Sequence, residues 1–199
     1  MFCALAYGAT FVFRIPVMFL TFDAKDTIIT ISALMYGPVS GVAISFVTAL
    51  LELITISGTG VYGFIMNFAS SAAFSATAAL IYKYKRNASG AIISFYAASI
   101  VMVTVMMLLN MFVTPYYMGV TTETVIELIP TLFLPFNLAK ALLNSALAMM
   151  LYKPVTVAMR RAGLLKGNAK MQINRSFVAI YITALVTLVV AIVMFVFLT

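Results

Sequence analysis

Long apolar runs, broken by short polar clusters, organise this 199-residue chain. A run of about 20 apolar residues is long enough to cross a bilayer as a helix, and the runs predict seven spans. The first covers roughly 2–20. The break Asp23-Ala24-Lys25-Asp26 separates it from a short second element at about 26–36, which Gly37-Pro38 turns sharply. The third span is about 39–56 and the fourth about 61–82, joined by Ser57-Gly58-Thr59-Gly60. The fifth, about 90–114, stops at Thr114-Pro115, and a loop over 115–130 carries Glu123 and Glu127. The sixth is about 131–152, the basic stretch 153–175 follows it, and an aliphatic seventh span covers 176–198.

With 64% hydrophobic and 9% charged residues, the chain reads as an all-α integral membrane protein. The net charge of +7 does not imply nucleic acid. Nine of the twelve basic residues (Lys83, Lys85, Arg86, Lys153, Arg160, Arg161, Lys166, Lys170 and Arg175) fall in two acid-free loops. The positive-inside rule puts those loops, and with them the N-terminus, in the cytoplasm. The breaks at 20–26, 57–60 and 115–130 then face outward. The first run has no basic residues before it and no small-residue cleavage site after it, so it is expected to be a true span. One Cys and no His exclude a disulfide framework, the usual zinc sites and the commonest general base.

The segment Leu134-Pro135-Phe136-Asn137-Leu138-Ala139-Lys140 carries the strongest chemical signal. A Lys at mid-membrane costs on the order of 2.5–3.5 kcal/mol, so it faces a cavity or a partner, or else snorkels to the interface. Asn137 and Lys140 share a helix face at i, i+3, and Asn144 continues it at i+7. Together they suggest a pocket that reads a polar small molecule. Asn110 and Asn67 lie on other spans at similar depth, each open to interhelical hydrogen bonding or ligand contact.

Arg14 and Glu52 read as a structural pair. Asp26 reads as the cap of the second helix, with Asp23 either a cap or a gate. The small residues over 69–79 allow close helix approach. Ala4 and Gly8 form a small-xxx-small pair, which serves packing within the monomer or docking on a partner helix. Gly58-Thr59-Gly60-Val61-Tyr62-Gly63 fits the dinucleotide pattern but has no βαβ unit around it, so a flexible loop is the better reading. No P-loop occurs, so any ATP-driven step needs another protein. Asn87-Ala88-Ser89 and Asn174-Arg175-Ser176 fit the glycosylation pattern but fall in cytoplasmic loops.

Phe22-Asp23-Ala24-Lys25-Asp26, Tyr36-Gly37-Pro38-Val39-Ser40-Gly41, Asn67-Phe68, Leu109-Asn110 and Leu134 to Lys140 occur in that order. Over about 1–165 the chain resembles the substrate-binding S components of energy-coupling factor (ECF) transporters, most closely the riboflavin type. The resemblance implies a six-helix membrane domain over 1–165. Residues 166–199 are left as a basic linker and an extra transmembrane helix beyond the family's usual six. It implies a bacterial plasma-membrane subunit that captures riboflavin on the outer side, as cargo rather than cofactor. Its implied partners are a transmembrane coupling subunit, two ATPases and the bilayer. Asn110, Asn137 and Lys140 match positions that hold the flavin ring, and Ala4 and Gly8 stand where the coupling subunit docks.

The side-chain chemistry agrees. A flavin's pyrimidine edge alternates acceptors with an N–H donor, which suits Asn amides and a Lys ammonium. The candidate substrate-binding set is therefore Asn137, Lys140, Asn110, Asn67 and Asp23, with no catalytic or metal-ligating residues. The chain departs from many riboflavin members at Thr48-Ala49, where those carry Lys-Asn, with Glu52 one turn on. That departure leaves room for an altered flavin or another vitamin. An intramembrane lipid-modifying enzyme lacks a catalytic constellation, and a purely structural subunit would use Asn137 and Lys140 only for folding.

Overall fold

The computed structural model describes residues 1–12, 15–17, 20–166 and 175–197. Eight α-helices and one small hairpin make up these residues: α1 (Phe2–Val12), β1 (Ile15–Val17), β2 (Leu20–Phe22), α2 (Lys25–Tyr36), α3 (Pro38–Thr55), α4 (Gly60–Tyr84), α5 (Ala88–Met118), α6 (Thr122–Leu128), α7 (Leu134–Arg161) and α8 (Arg175–Val196). Five helical stretches are long and apolar enough to cross a membrane: α3, α4, α5, the continuous run Thr122–Arg161, and α8.

The expected first span is broken. α1 ends at Val12, and Ile15–Val17 pairs antiparallel with Leu20–Phe22, Pro16 opposite Thr21. Proline lacks an N–H, so it fits a two-stranded edge better than a helix interior. α2 has 12 residues, which at 1.5 Å each reach about 18 Å, well short of a bilayer core. The six spans plus one expected from the sequence are therefore not seven full-length helices.

At the other Pro signal the chain does the opposite. α5 runs through Pro115 to Met118 and ends at Gly119 in the left-handed conformation, whose N–H donates to Pro115 O. Asn87 caps the start of α5, its Oδ1 accepting from Gly90 N at 2.7 Å. Between α6 and α7, Ile129–Phe133 form a π-helical turn. Its extra residue re-aims everything that follows, as such turns often do beside functional sites.

The core lies between α4, α5 and α7, where Phe74, Phe95, Met102 and Met149 fill the spaces left by Ala78, Ala98 and Ala148. Small residues let these helices close, and Ser99 and Ser145 meet across α5 and α7 at 2.9 Å. Gly41 on α3 is likewise pressed between helices, since an added Cβ would stand 2.7 Å from Ala33 Cβ of α2 and 2.9 Å from Ser75 Oγ of α4. Gly37, at φ 102°, makes the sharp α2–α3 turn that brings Gly41 there. The basic residues Lys85, Arg86, Arg161 and Arg175 gather at one end of the bundle, where α4, α7 and α8 have their basic termini.

Candidate functional site

The opposite end holds a cavity of about 380 Å³. Its rim is the hairpin (Leu20, Thr21) and the α3–α4 link (Ser57, Gly58, Thr59), and its walls come from α3, α4, α5 and α7. Met66, Met106, Val113 and Phe136 make it largely apolar, and Tyr62 and Tyr117 add aromatic surface. The size falls within the roughly 300–1,000 Å³ of small-molecule sites.

All five side chains nominated from the sequence for binding line this one space: Asp23, Asn67, Asn110, Asn137 and Lys140. Asn110 and Asn137 are prepared in the same way. Each donates from Nδ2 to a carbonyl one turn back in its own helix, Met106 O at 2.7 Å and Phe133 O at 2.8 Å. Thr114 donates to Asn110 Oδ1 at 2.8 Å. Asn137 Oδ1 accepts no hydrogen bond among the described residues.

Lys140 does not stand alone. It donates to Asp23 Oδ2 at 3.0 Å and lies 4.0 Å from Asp26 Oδ2. Asp26 is on the first turn of α2, where its charge suits the helix dipole, and it accepts from Ser71 on α4. The N-cap residue of α2 is Ala24, not Asp26, so Asp26 serves the network rather than capping. Beyond Asp23 the network continues. Lys25 lies 3.8 Å from it and donates to both Glu52 oxygens, at 2.8 and 2.6 Å, while Asn67 Nδ2 donates to Glu52 Oε2 at 2.9 Å. Buried charges persist only when partnered in this way. Glu52 was expected to pair with Arg14; its partners are Lys25 and Asn67, and Arg14 lies outside the described residues.

Asn144 also departs from expectation. Although it shares a helix face with Lys140, it does not line the cavity. Its Oδ1 accepts from Thr27 N at 3.0 Å and Thr27 Oγ1 at 2.8 Å, and its Nδ2 donates to Asp23 O at 3.2 Å. It stitches α7 to the start of α2.

Sequence reasoning missed Lys25, Ser70 and the Thr59 rim. Ser70 lines the cavity, and its Oγ has no partner among the described residues. Its spacing from Asn67, i, i+3 on α4, was the signal that could have found it. The glycine-rich link, expected as a flexible loop, is a short non-helical connection at the cavity rim, where Ser57 Oγ lies 3.4 Å from both Thr59 Oγ1 and Gly60 O and Gly60 takes φ 57° to open α4. Thr48 and Ala49 are buried and do not line the cavity, whereas Glu52 does. Ala4 and Gly8 lie exposed on α1, with nothing near the position a Gly8 side chain would take.

A membrane helix bundle with one end hollowed and lined by partnered charges and amides is the build of a protein that holds a small polar molecule in an apolar setting. The family model for the ECF transporter, substrate-specific component, matches residues 1–152, and the chain belongs to that family. It is thus a substrate-binding component of a bacterial plasma-membrane transporter and not an enzyme. Among its relatives, riboflavin transporter RibU of Staphylococcus aureus (strain TCH60) is 32% identical over 170 residues, 81% of this chain and 89% of the relative. The solved structure described as "Structure and mechanism of the S component of a bacterial ECF transporter" is similar with a TM-score of 0.69. It is 30% identical and covers 81% of this chain and 94% of that one.

Proposed function

We propose that this S component captures riboflavin in the cavity and delivers it for uptake driven by partner ATPases. The observation that carries the reading is the amide set of Asn67, Asn110 and Asn137 beside the Lys140 ammonium in one apolar-walled space. Carboxamides both donate and accept, which the alternating pyrimidine edge of a flavin requires, and the Lys adds donors. Phe136, Tyr62 and Tyr117 offer faces for the tricyclic ring. The curated relative named for riboflavin supports the same cargo.

Residues 1–165 form the cargo-binding unit in this reading, and 166–199 the appended linker and helix. The cavity faces outward and the basic end faces the cytoplasm, with the N-terminus inside, as the charge asymmetry favours. Ala4 and Gly8 dock on the transmembrane coupling subunit, which carries the two ATPases. Their exposure on α1 supports this role. A Gly8→Leu variant is expected to leave cargo binding unchanged and to abolish uptake in vesicles holding the full transporter.

The test of the cargo is flavin absorbance in the detergent-purified protein, with a riboflavin fluorescence titration. Quenching at stoichiometric protein supports the reading; a colourless protein indifferent to riboflavin sinks it. Glu52 in the cavity favours a second reading, a flavin altered in its side chain or another vitamin. Titrations with such analogues beside riboflavin separate the two.

A further inference from the structure

The family match ends at residue 152 and α8 begins at Arg175, so the family says nothing of what the appended helix does. Its contacts do. α8 lies antiparallel along α7, with Ala184, Thr187 and Ala191 turned inward. Near its basic end, the Tyr181 hydroxyl donates to Met150 O at 2.7 Å. At its middle, Thr187 Oγ1 lies 2.6 Å from the Tyr96 hydroxyl of α5. At its far end, Met194 and Phe195 join a small apolar cluster with Phe22, Phe136 and Ala139.

The geometry of that cluster is specific. The Phe195 ring meets Phe22 edge to face, centroids 4.9 Å apart at 89°, and Phe22 meets Phe136 at 4.5 Å and 63°. Phe22 ends β2, and the next residue is Asp23, the ion partner of Lys140. Phe136 precedes Asn137 on α7. One aromatic triad thus sits a single residue from both polar walls of the cavity.

We propose that α8 is a buttress for the cavity, and that Phe195 is a positioning residue. Acting through Phe22, it holds the β1–β2 hairpin against α7 and keeps Asp23 in register with Lys140. A two-stranded hairpin is marginal by itself, and this one has strands of three residues each. Lipid tails are as apolar as a phenyl ring, so burial alone would not hold Phe22 in place; close side-chain packing must. A helix serving only as a lipid anchor would need its outward residues, Ile182, Leu185 and Val189, but no aromatic contact with the hairpin.

The test is amide hydrogen exchange of the full-length protein in lipid nanodiscs, comparing Phe195→Ala, Phe195→Leu and Val189→Ala with the unaltered chain. Phe195→Ala is expected to speed exchange over residues 20–26 about tenfold, a small shift of a local opening equilibrium. Exchange in α4 and α5 should not change. Phe195→Leu should restore most of the protection, and the lipid-facing Val189→Ala should change nothing. Unchanged exchange over 20–26 in Phe195→Ala overturns the proposal, and so does acceleration spread evenly over the bundle. Faster flavin release from Phe195→Ala is a second expected readout, resting on the proposed cargo. If the unaltered protein ignores riboflavin, the cargo reading fails while the exchange result still decides the role of α8.

Discussion

Asn137 and Asn144 stand on one face of α7, two turns apart, and the protein uses them in opposite ways. Asn144 commits its side chain to other groups of the protein: the Thr27 N–H and hydroxyl, the Asp23 carbonyl and the Lys140 carbonyl. Asn137 makes one bond to its own helix and lines the cavity. The same amide is mortar at one depth and cavity wall at the other. A polar residue in an apolar helix therefore says that something polar faces it, not whether that something is protein or ligand.

Lys140 lies between the two and belongs to both, so it is the sharpest place to break the contrast. Lys140→Ala leaves Asp23 buried with Lys25 only at 3.8 Å; the expected loss in detergent thermal unfolding is about 3–5 kcal/mol. Adding Asp23→Asn should recover much of it, because the orphaned charge goes too. A single variant as stable as the parent would show that Lys140 is not structural.

Asn144→Ala comes next. It strips partners from the Thr27 N–H and the Asp23 carbonyl, at roughly 1–3 kcal/mol per buried group. A total of about 2–6 kcal/mol is expected, while the protein that still folds should bind flavin with its original affinity. Asn137→Ala inverts that pattern. Its stability should change by less than about 1 kcal/mol, the value of one hydrogen bond within its own helix. Riboflavin affinity should weaken about tenfold, equivalent to about 1.4 kcal/mol, by fluorescence titration. If both variants lose the same property, the contrast is wrong. Tyr96→Phe should have the smallest effect, about 0.6 kcal/mol of stability, because interhelical hydrogen bonds in membranes are individually weak. It sets the baseline for the others.

Much of this was legible in the chain itself, for a definite reason. Charge and amide groups are costly in lipid, so Asn67, Asn110, Asn137, Lys140 and Asp23 had to face something, and one cavity collects them. The long apolar runs likewise gave α3, α4, α5 and α8 nearly to their ends, but α7 continues past the expected 152, through Lys153 and Pro154, to Arg161. What failed was whatever depends on choosing among partners. Glu52 could have met Arg14 or Lys25, and only the fold puts Lys25 there. Face sharing placed Asn144 with Lys140, but a helix wall that lines a cavity at one level touches a neighbour at the next. Proline misled twice, by hiding the hairpin at Pro16 and by seeming to end a helix at Pro115. Pro115 costs α5 one i to i−4 hydrogen bond but does not end the helix, which runs on to Met118.

The seam made by Asn144 also carries a timetable. Thr27 and Asn144 are 117 residues apart, so the start of α2 is synthesised long before the groups that complete it. Lys25 can meet Glu52 early, only 27 residues on. Asp26 can also meet Ser71 once α4 is made, but both carboxylates must wait for α7 to bring the Lys140 ammonium. A nascent chain halted after α5 should therefore hold residues 23–26 at the membrane surface, open to a water-soluble carboxyl-modifying reagent that the finished protein resists. Protection at that stage would mean the newborn helix finds a substitute partner in the insertion machinery.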